Sequence, residues 1–180
     1  MRFTELVERA QAGDTSAFGG LYEEYCTTVY RYVRARVSPT ALAEDLTSET
    51  FIRALGGLDS FRWQGRDFGA WLITIARNLI SDHYKSGRSR HEVVTDEIEA
   101  HHLPTEGPEV DILAAVTSNV LRDAVAALPD DQRHCLQLRF FAGLSIRETA
   151  RVLDKSQGAV KQSQIRAIRN LSTAIQKDLQ

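Results

Sequence analysis

The sequence predicts an all-α chain built as two small helical domains joined by an acidic linker. Three observations carry that expectation. Apolar residues recur at intervals of three and four through most of the 180 residues. No stretch sustains the strict alternation of a half-buried strand. One segment alone, HEVVTDEIEAHHLPTEGPEVDI from His91 to Ile112, breaks the helical pattern, with Pro104, Gly107 and Pro108 inside it. A hydrophobic content of 43% is ample for two packed cores.

The N-terminal elements follow in order. A cap at Thr4 opens a short first helix. Thr15 opens a longer one, in which Phe18, Leu21, Tyr22, Tyr25, Val29, Tyr32 and Val33 recur on one side. Pro39 separates it from a third helix carrying Leu42, Leu46, Phe51, Ile52 and Leu55, which Gly56 and Gly57 stop. Asp67 caps a fourth, where Phe68, Trp71, Leu72, Ile75, Leu79 and Ile80 form a wide apolar stripe ending near Gly87. Four such helices make one bundle, residues 1–90.

Residues 91–112 read as a linker. They hold seven of the chain's 24 acidic residues and no Lys or Arg, so the remainder carries 22 basic against 17 acidic residues although the whole chain is only at -2. Fully extended, the segment spans at most roughly 70 to 80 Å, about two turns of B-DNA at ~34 Å each. Composition alone favours a solvated spacer. His91, His101 and His102 lie in it without partner Cys or helical spacing, and no metal site is expected.

The second domain, residues 113–180, begins with a helix from Leu113 to Leu128, followed by one entered through Pro129 and ending near Phe141. Gly143 marks a break. Ser145 and Glu148 form a capping box for a helix with Ile146, Ala150 and Leu153 inward. Asp154 and Lys155 make a tight turn, and Ser156 caps a last helix reaching about Asp178, with Val160, Ile168, Leu171 and Ile175 inward. Two helices joined by so short a turn, the second more basic, predict a helix-turn-helix.

A major groove admits one helix whose first turns meet base edges while cations beside it hold phosphates. The last helix turns Gln157, Lys161, Gln162, Gln164, Ile165, Arg166 and Arg169 outward; Gln can read adenine, and Lys or Arg can read guanine or grip the backbone. An ordinary amphipathic helix with a solvated polar face is the alternative. In the first domain, Phe61 to Arg90 carries six basic residues (Arg62, Arg66, Arg77, Lys85, Arg88, Arg90) against Asp67 and Asp82, interleaved with aromatics. Cations that follow phosphates and rings that hold unstacked bases suit single-stranded DNA. Trp71 is expected in the core, whereas Trp63, in a polar loop, is harder to account for by packing.

Other classes find little support. No window approaches the roughly 20 apolar residues of a membrane span, and Met1 to Asp14 has no apolar leader segment; a soluble, cytoplasmic protein is expected. Cys26 and Cys135 are far apart and fit neither a disulfide framework nor a zinc site. No Ser-His-Asp arrangement, GxxxxGK loop or HExxH occurs, so no enzymatic activity and no cofactor are expected.

LPDDQRHCLQLRFFAGLSIRETARVLDKSQGAVKQSQIRAIRNL, Leu128 to Leu171, resembles the C-terminal promoter-binding domain of extracytoplasmic function (ECF) sigma factors of the sigma-70 family. The likeness rests on Leu128-Pro129, Arg133, Leu138-Arg139, Gly143-Leu144-Ser145, Glu148, Ala150, Leu153, Ser156, Gly158, Val160, Lys161, Arg166 and Ala167. It implies that Lys161, Gln162, Ile165 and Arg166, flanked by Gln157 and Arg169, face the minus-thirty-five element, with Arg139 on its backbone. Gln162-Ser163 stands where the family often has Ser-Arg, and Ile168 where it often has a basic residue.

AEDLTSETFIRAL, Ala43 to Leu55, resembles the family segment that docks on the clamp helices of the polymerase's largest subunit, implying contacts by Asp45, Glu49, Phe51 and Arg53. Ser48 replaces a common Gln, and Phe51 fits a core position equally well. FRWQGRDFGAWLITIARNLISDHYKSGRSR resembles the family's melting and minus-ten segment, which implies contacts from Arg62, Trp63, Gln64, Arg66, Arg77, Asn78 and Lys85. The resemblance further implies core RNA polymerase and promoter DNA as partners, an anti-sigma factor that masks both faces, a linker that threads the polymerase channel, and a monomer without membrane insertion outside these complexes. An autonomous dimeric helix-turn-helix regulator and a protein-binding helical adaptor stay open, but each leaves some of these motifs without a purpose.

Overall fold

A computed structural model of the chain describes residues 2–63, 67–89, 121 and 123–178. The expected linker, its histidines and most of the helix expected from Leu113 lie outside them. Every regular element among the described residues is helical. Helix α1 spans Arg2–Gln11, α2 Thr15–Arg34, α3 Thr40–Gly57 and α4 Phe68–Ser89, with a 3-10 turn at Leu58–Ser60. Helical residues 123–126 precede α5, Asp130–Leu136, which runs into a π turn at Gln137–Phe141. Helix α6 covers Ile146–Leu153 and α7 Gln157–Asp178.

Local chemistry explains the boundaries. The first helix starts at Arg2, so Thr4 lies within it and is not its cap. Gly13, at φ 91°, ends that turn, and a positive φ is what glycine tolerates at least cost. Thr15 opens α2, and Asp14 before it is the cap: its Oδ1 accepts from the amides of Ser16 at 3.0 Å and Ala17 at 3.1 Å, while Oδ2 pairs with Arg9 at 2.6 Å. Those bonds hold the Asp14 carboxyl well below the usual carboxylate range. Asp67 accepts from the amide of Gly69 at 2.8 Å at the start of α4, as expected.

The first core joins Val7 of α1, Leu21, Val29, Tyr32 and Val33 of α2, Phe51 of α3, and Phe68, Leu72, Ile73 and Ile80 of α4. Each such side chain stabilises the fold by about 1.5 to 3 kcal/mol. Helix α3 does not bury all the apolar residues it carries. Ile52 and Leu55 are 64% and 56% exposed, and the buried face is Ala43, Leu46, Thr47, Thr50, Phe51 and Ala54. Thr47 and Thr50 are buried without penalty because their hydroxyls donate to Ala43 O and Leu46 O, both at 2.7 Å.

In the C-terminal half, Leu128, Leu136 and Ala167 form one small core, and Cys135, Ala150 and Val160 a second, with Ile146 and Leu153 packed beside it. Both cysteines are free. The inward stripe of α7 is Val160, Ala167 and Leu171, while Ile168 is 48% exposed, a one-residue shift from the expected face.

The two halves touch. Leu138, Ala142, Leu144 and Val152 belong to the same apolar cluster as Val29, Tyr32 and Leu72. Gln137 Nε2 donates to Ala35 O at 2.8 Å and Arg77 Nη1 to Val152 O at 2.6 Å. No helix among the described residues is long and apolar enough to cross a membrane.

Candidate DNA and polymerase interfaces

The helix-turn-helix is assembled by local hydrogen bonds. Ser145 Oγ accepts from Glu148 N at 3.2 Å and the Glu148 carboxylate accepts from Ser145 N at 2.7 Å, the expected capping box. Asp154 turns the chain at φ 53°, a left-handed conformation that Asp adopts more readily than most residues. Ser156 Oγ then accepts from Ala159 N at 3.1 Å at the start of α7. Lys155, at the turn, pairs with Asp131 of α5 at 2.6 Å, which lowers the Asp131 pKa and ties the turn to the domain.

Along α7, Gln157, Lys161, Gln162, Ile165, Arg166 and Arg169 are all exposed, so the structure places the expected reading residues on one open face. Gln164, expected outward, is half-buried and accepts from Arg139 Nε at 3.0 Å. The Arg139 guanidinium also donates to the Leu144 carbonyl. Arg139 is therefore a brace between the π turn and α7, a role that its spacing in the sequence did not reveal.

At the other end, the segment before α4 is an aromatic cluster. Phe61 packs against Trp63, Phe68 and Trp71 with centroids 5.4, 5.4 and 4.9 Å apart. Trp63, hard to account for from sequence, is half-buried edge-on to Phe61 and joins the core. Gln11 Nε2 pins this segment by donating to Leu58 O at 2.9 Å and Phe61 O at 3.0 Å. Arg62 is exposed and its guanidinium donates to Asp59 O at 2.5 Å. Gln64 and Arg66 lie outside the described residues. Asn78 and Lys85 are exposed on α4, whereas Arg77 is half-buried on Val152 O.

On α3, Asp45 and the Glu49–Arg53 pair, at 2.8 Å, are joined by Ile52 and Leu55. Phe51 is not on this face. It is 4% exposed, with its ring 4.7 Å from that of Tyr22 in an edge-to-face contact. The exposed surface thus combines carboxylates with two aliphatic side chains. Among the described residues no cluster of three or more His, Cys, Asp or Glu is placed to hold a metal ion.

An open, cationic second helix on a helix-turn-helix, carried beside a separate helical bundle with its own basic and aromatic segment, defines a DNA-binding protein of two modules. The Sigma-70 region 2 family model matches residues 21–90 and the Sigma-70, region 4 model matches residues 124–173. The ECF RNA polymerase sigma factor BldN of Streptomyces coelicolor is 52% identical over 177 residues, covering 98% of this chain and 67% of that protein. ECF RNA polymerase sigma factor SigD of Mycobacterium tuberculosis is 32% identical over 179 residues, covering 97% of this chain and 84% of its own.

Among solved structures, CnrH in complex with the cytosolic domain of CnrY superposes with a TM-score of 0.74 over 99% of both chains at 24% identity. The sigma factor RpoE in complex with the anti-sigma factor NepR, from Bartonella quintana, gives 0.70 at 26% identity over 88% of this chain and 96% of that one. The chain belongs to the ECF sigma factors of the sigma-70 family, non-catalytic subunits that direct RNA polymerase to promoters.

Proposed function

We propose that the two modules divide the promoter between them. Residues 113–180 read the minus-thirty-five element through α7, with Gln157, Lys161, Gln162, Ile165 and Arg166 toward base edges and Arg169 on phosphate. Arg139 braces α7 from behind and has further N–H donors for the backbone. Residues 1–90 bind and melt the minus-ten element through Arg62, Trp63, Gln64, Arg66, Arg77, Asn78 and Lys85, and residues 91–112 tether the two. The observation that carries this reading is the exposure of Gln157, Lys161, Gln162, Arg166 and Arg169 along α7, side chains of the types that read base edges and hold phosphates.

Core RNA polymerase docks on α3. Asp45 and Glu49 orient the approach to a basic helical hairpin, and Ile52 and Leu55 supply the area that leaves water. Phe51 supports this surface from beneath. An anti-sigma factor covers the same faces in the resting cell, a reading supported by the RpoE–NepR complex among its structural relatives. The protein works in the cytoplasm, where the polymerase is. Reconstitution with core polymerase on promoter templates tests the whole scheme: start-site selection supports it, and its absence with every bacterial core enzyme overturns it.

A further inference from the structure

Helix α7 carries an apolar pair in the middle of its polar face. Ile165 and Ile168 are 51% and 48% exposed, and neither joins a core cluster of the described residues. The stripe that packs inward is Val160, Ala167 and Leu171, and Arg139 holds the half-buried Gln164 beside it. Folding leaves about half of each isoleucine in water.

Helix periodicity fixes what surrounds them. Residues three and four apart are neighbours on a helix, with Cβ atoms about 5 to 6 Å apart. Ile165 therefore has Lys161 and Gln162 one turn before it, and Ile168 and Arg169 one turn after it, all four exposed. A single exposed apolar residue is ordinary on a protein surface. Two neighbouring isoleucines amid cations need a further reason, because isoleucine is β-branched and loses rotamer freedom in a helix. An unbranched polar side chain would meet water there at less cost.

Charge and shape indicate the occupant. Lys161 and Arg169, with Arg166 alongside, draw this face of α7 against a polyanion. The centre of the face is apolar. In the major groove one base alone presents an apolar group at its edge, thymine with its C5-methyl. An aliphatic side chain covers that methyl and excludes water from it. Set against the amino or carbonyl group of another base, the same side chain would strand a donor or acceptor without a partner. Ile165 thus favours thymine by contact and disfavours the other bases by desolvation.

We infer that Ile165 is a specificity-determining residue that reads a thymine methyl in the minus-thirty-five element, with Ile168 one turn on shielding the contact from water. This rests on the assignment of α7 to that element. Phosphate contacts carry no sequence information directly, so the cations supply affinity and register. Ile165 reports which strand of one A·T pair holds the thymine.

The test uses holoenzyme reconstituted from core polymerase and the full chain, on a promoter at which it selects a start site. Each thymine of the minus-thirty-five element is replaced in turn by deoxyuridine, which pairs in the same way and lacks only the methyl. Fluorescence anisotropy reads affinity for each duplex. It is repeated with Ile165→Ser, Ile165→Val, Ile168→Ser and Lys161→Ala chains, their helicity checked by circular dichroism. Deoxyuridine at one position should weaken wild-type binding about fourfold, as expected for one buried carbon. Ile165→Ser should show no further loss at that position, while Ile165→Val and Ile168→Ser keep part of the discrimination. Lys161→Ala should bind both duplexes more weakly and preserve their ratio. A wild-type chain indifferent to deoxyuridine at every thymine, or an element without an A·T pair, overturns the inference. So does an Ile165→Ser chain that keeps the wild-type ratio, and if that chain also loses affinity for core polymerase, Ile165 belongs to a protein contact. A holoenzyme whose binding is unchanged when the whole minus-thirty-five element is scrambled overturns the assignment of α7 instead.

Discussion

Arg139 Nε donates to Gln164 Oε1 at 3.0 Å, joining the π turn to the helix that presents the DNA-reading face. The same guanidinium holds the Leu144 carbonyl, next to the left-handed Gly143 at φ 66°. One side chain thus sets the angle at which α7 leaves the domain. Arg139→Ala should lower stability by about 1 to 3 kcal/mol, as expected for charge-assisted bonds lost from a partly buried site, and weaken minus-thirty-five binding with it. Urea denaturation and DNA titration on the same preparation check this; unchanged stability would show that the brace carries no weight.

Lys161 and Arg166 are exposed on α7 and are expected to act directly on DNA. Replacing either by Ala should cost about 1 to 3 kcal/mol of promoter affinity for a base contact, or reduce the salt slope by about one for a phosphate contact. Binding to core polymerase should be unaffected. Equal loss of promoter and core binding by Lys161→Ala would refute the assignment.

The docking surface on α3 makes a different forecast. Asp45→Ala with Glu49→Ala should slow association with core polymerase, since exposed charges act mainly on encounter. Ile52→Asp should raise the dissociation rate, because Ile52 is 64% exposed in the free chain and only a partner gives it burial. Stopped-flow and off-rate measurements separate the two effects; unaltered core affinity in both variants rules out this face.

Gly69 at the start of α4 lies against Tyr25, where an added Cβ would come within 2.8 Å of the ring carbon Cε1. Gly69→Ala should destabilise the N-terminal domain by about 1 to 3 kcal/mol through overpacking. A thermal midpoint equal to that of the parent would show that the ring moves aside freely.

His134 supplies the pH dependence. Burial first, and Arg36 next, push its pKa from 6.5 to about 4, with Arg133 and Arg77 adding to the shift and Asp130 opposing it. A folded value below the unfolded one means that the native state favours neutral His134. Stability from this group is therefore complete above pH 6.5 and is lost as pH falls toward 4, where the unfolded chain takes up a proton that the folded chain resists. Urea midpoints at several pH values across that window should decline with acidity in the parent and decline less in His134→Gln. Identical profiles would exclude His134 as the source.

Much of this molecule is written locally. The helices, the Ser145–Glu148 capping box, the Asp154 turn and the outward set on α7 other than Gln164 follow from periodicity and short-range hydrogen bonding, which act within a few residues and are legible in any window of sequence. The segments that resemble sigma factor motifs were legible for the same reason.

Tertiary packing decided the rest. It turned Ile52 and Leu55 outward because Thr47 and Thr50, polar by type, satisfy their own hydroxyls and occupy the core face. It shifted the inward stripe of α7 from Ile168 to Ala167, since a small residue fits the close approach to Leu128 and Leu136. It buried Val152 against the other half of the chain. Periodicity records that a helix has an apolar side, but which neighbour covers that side, and how closely, depends on residues far away in sequence.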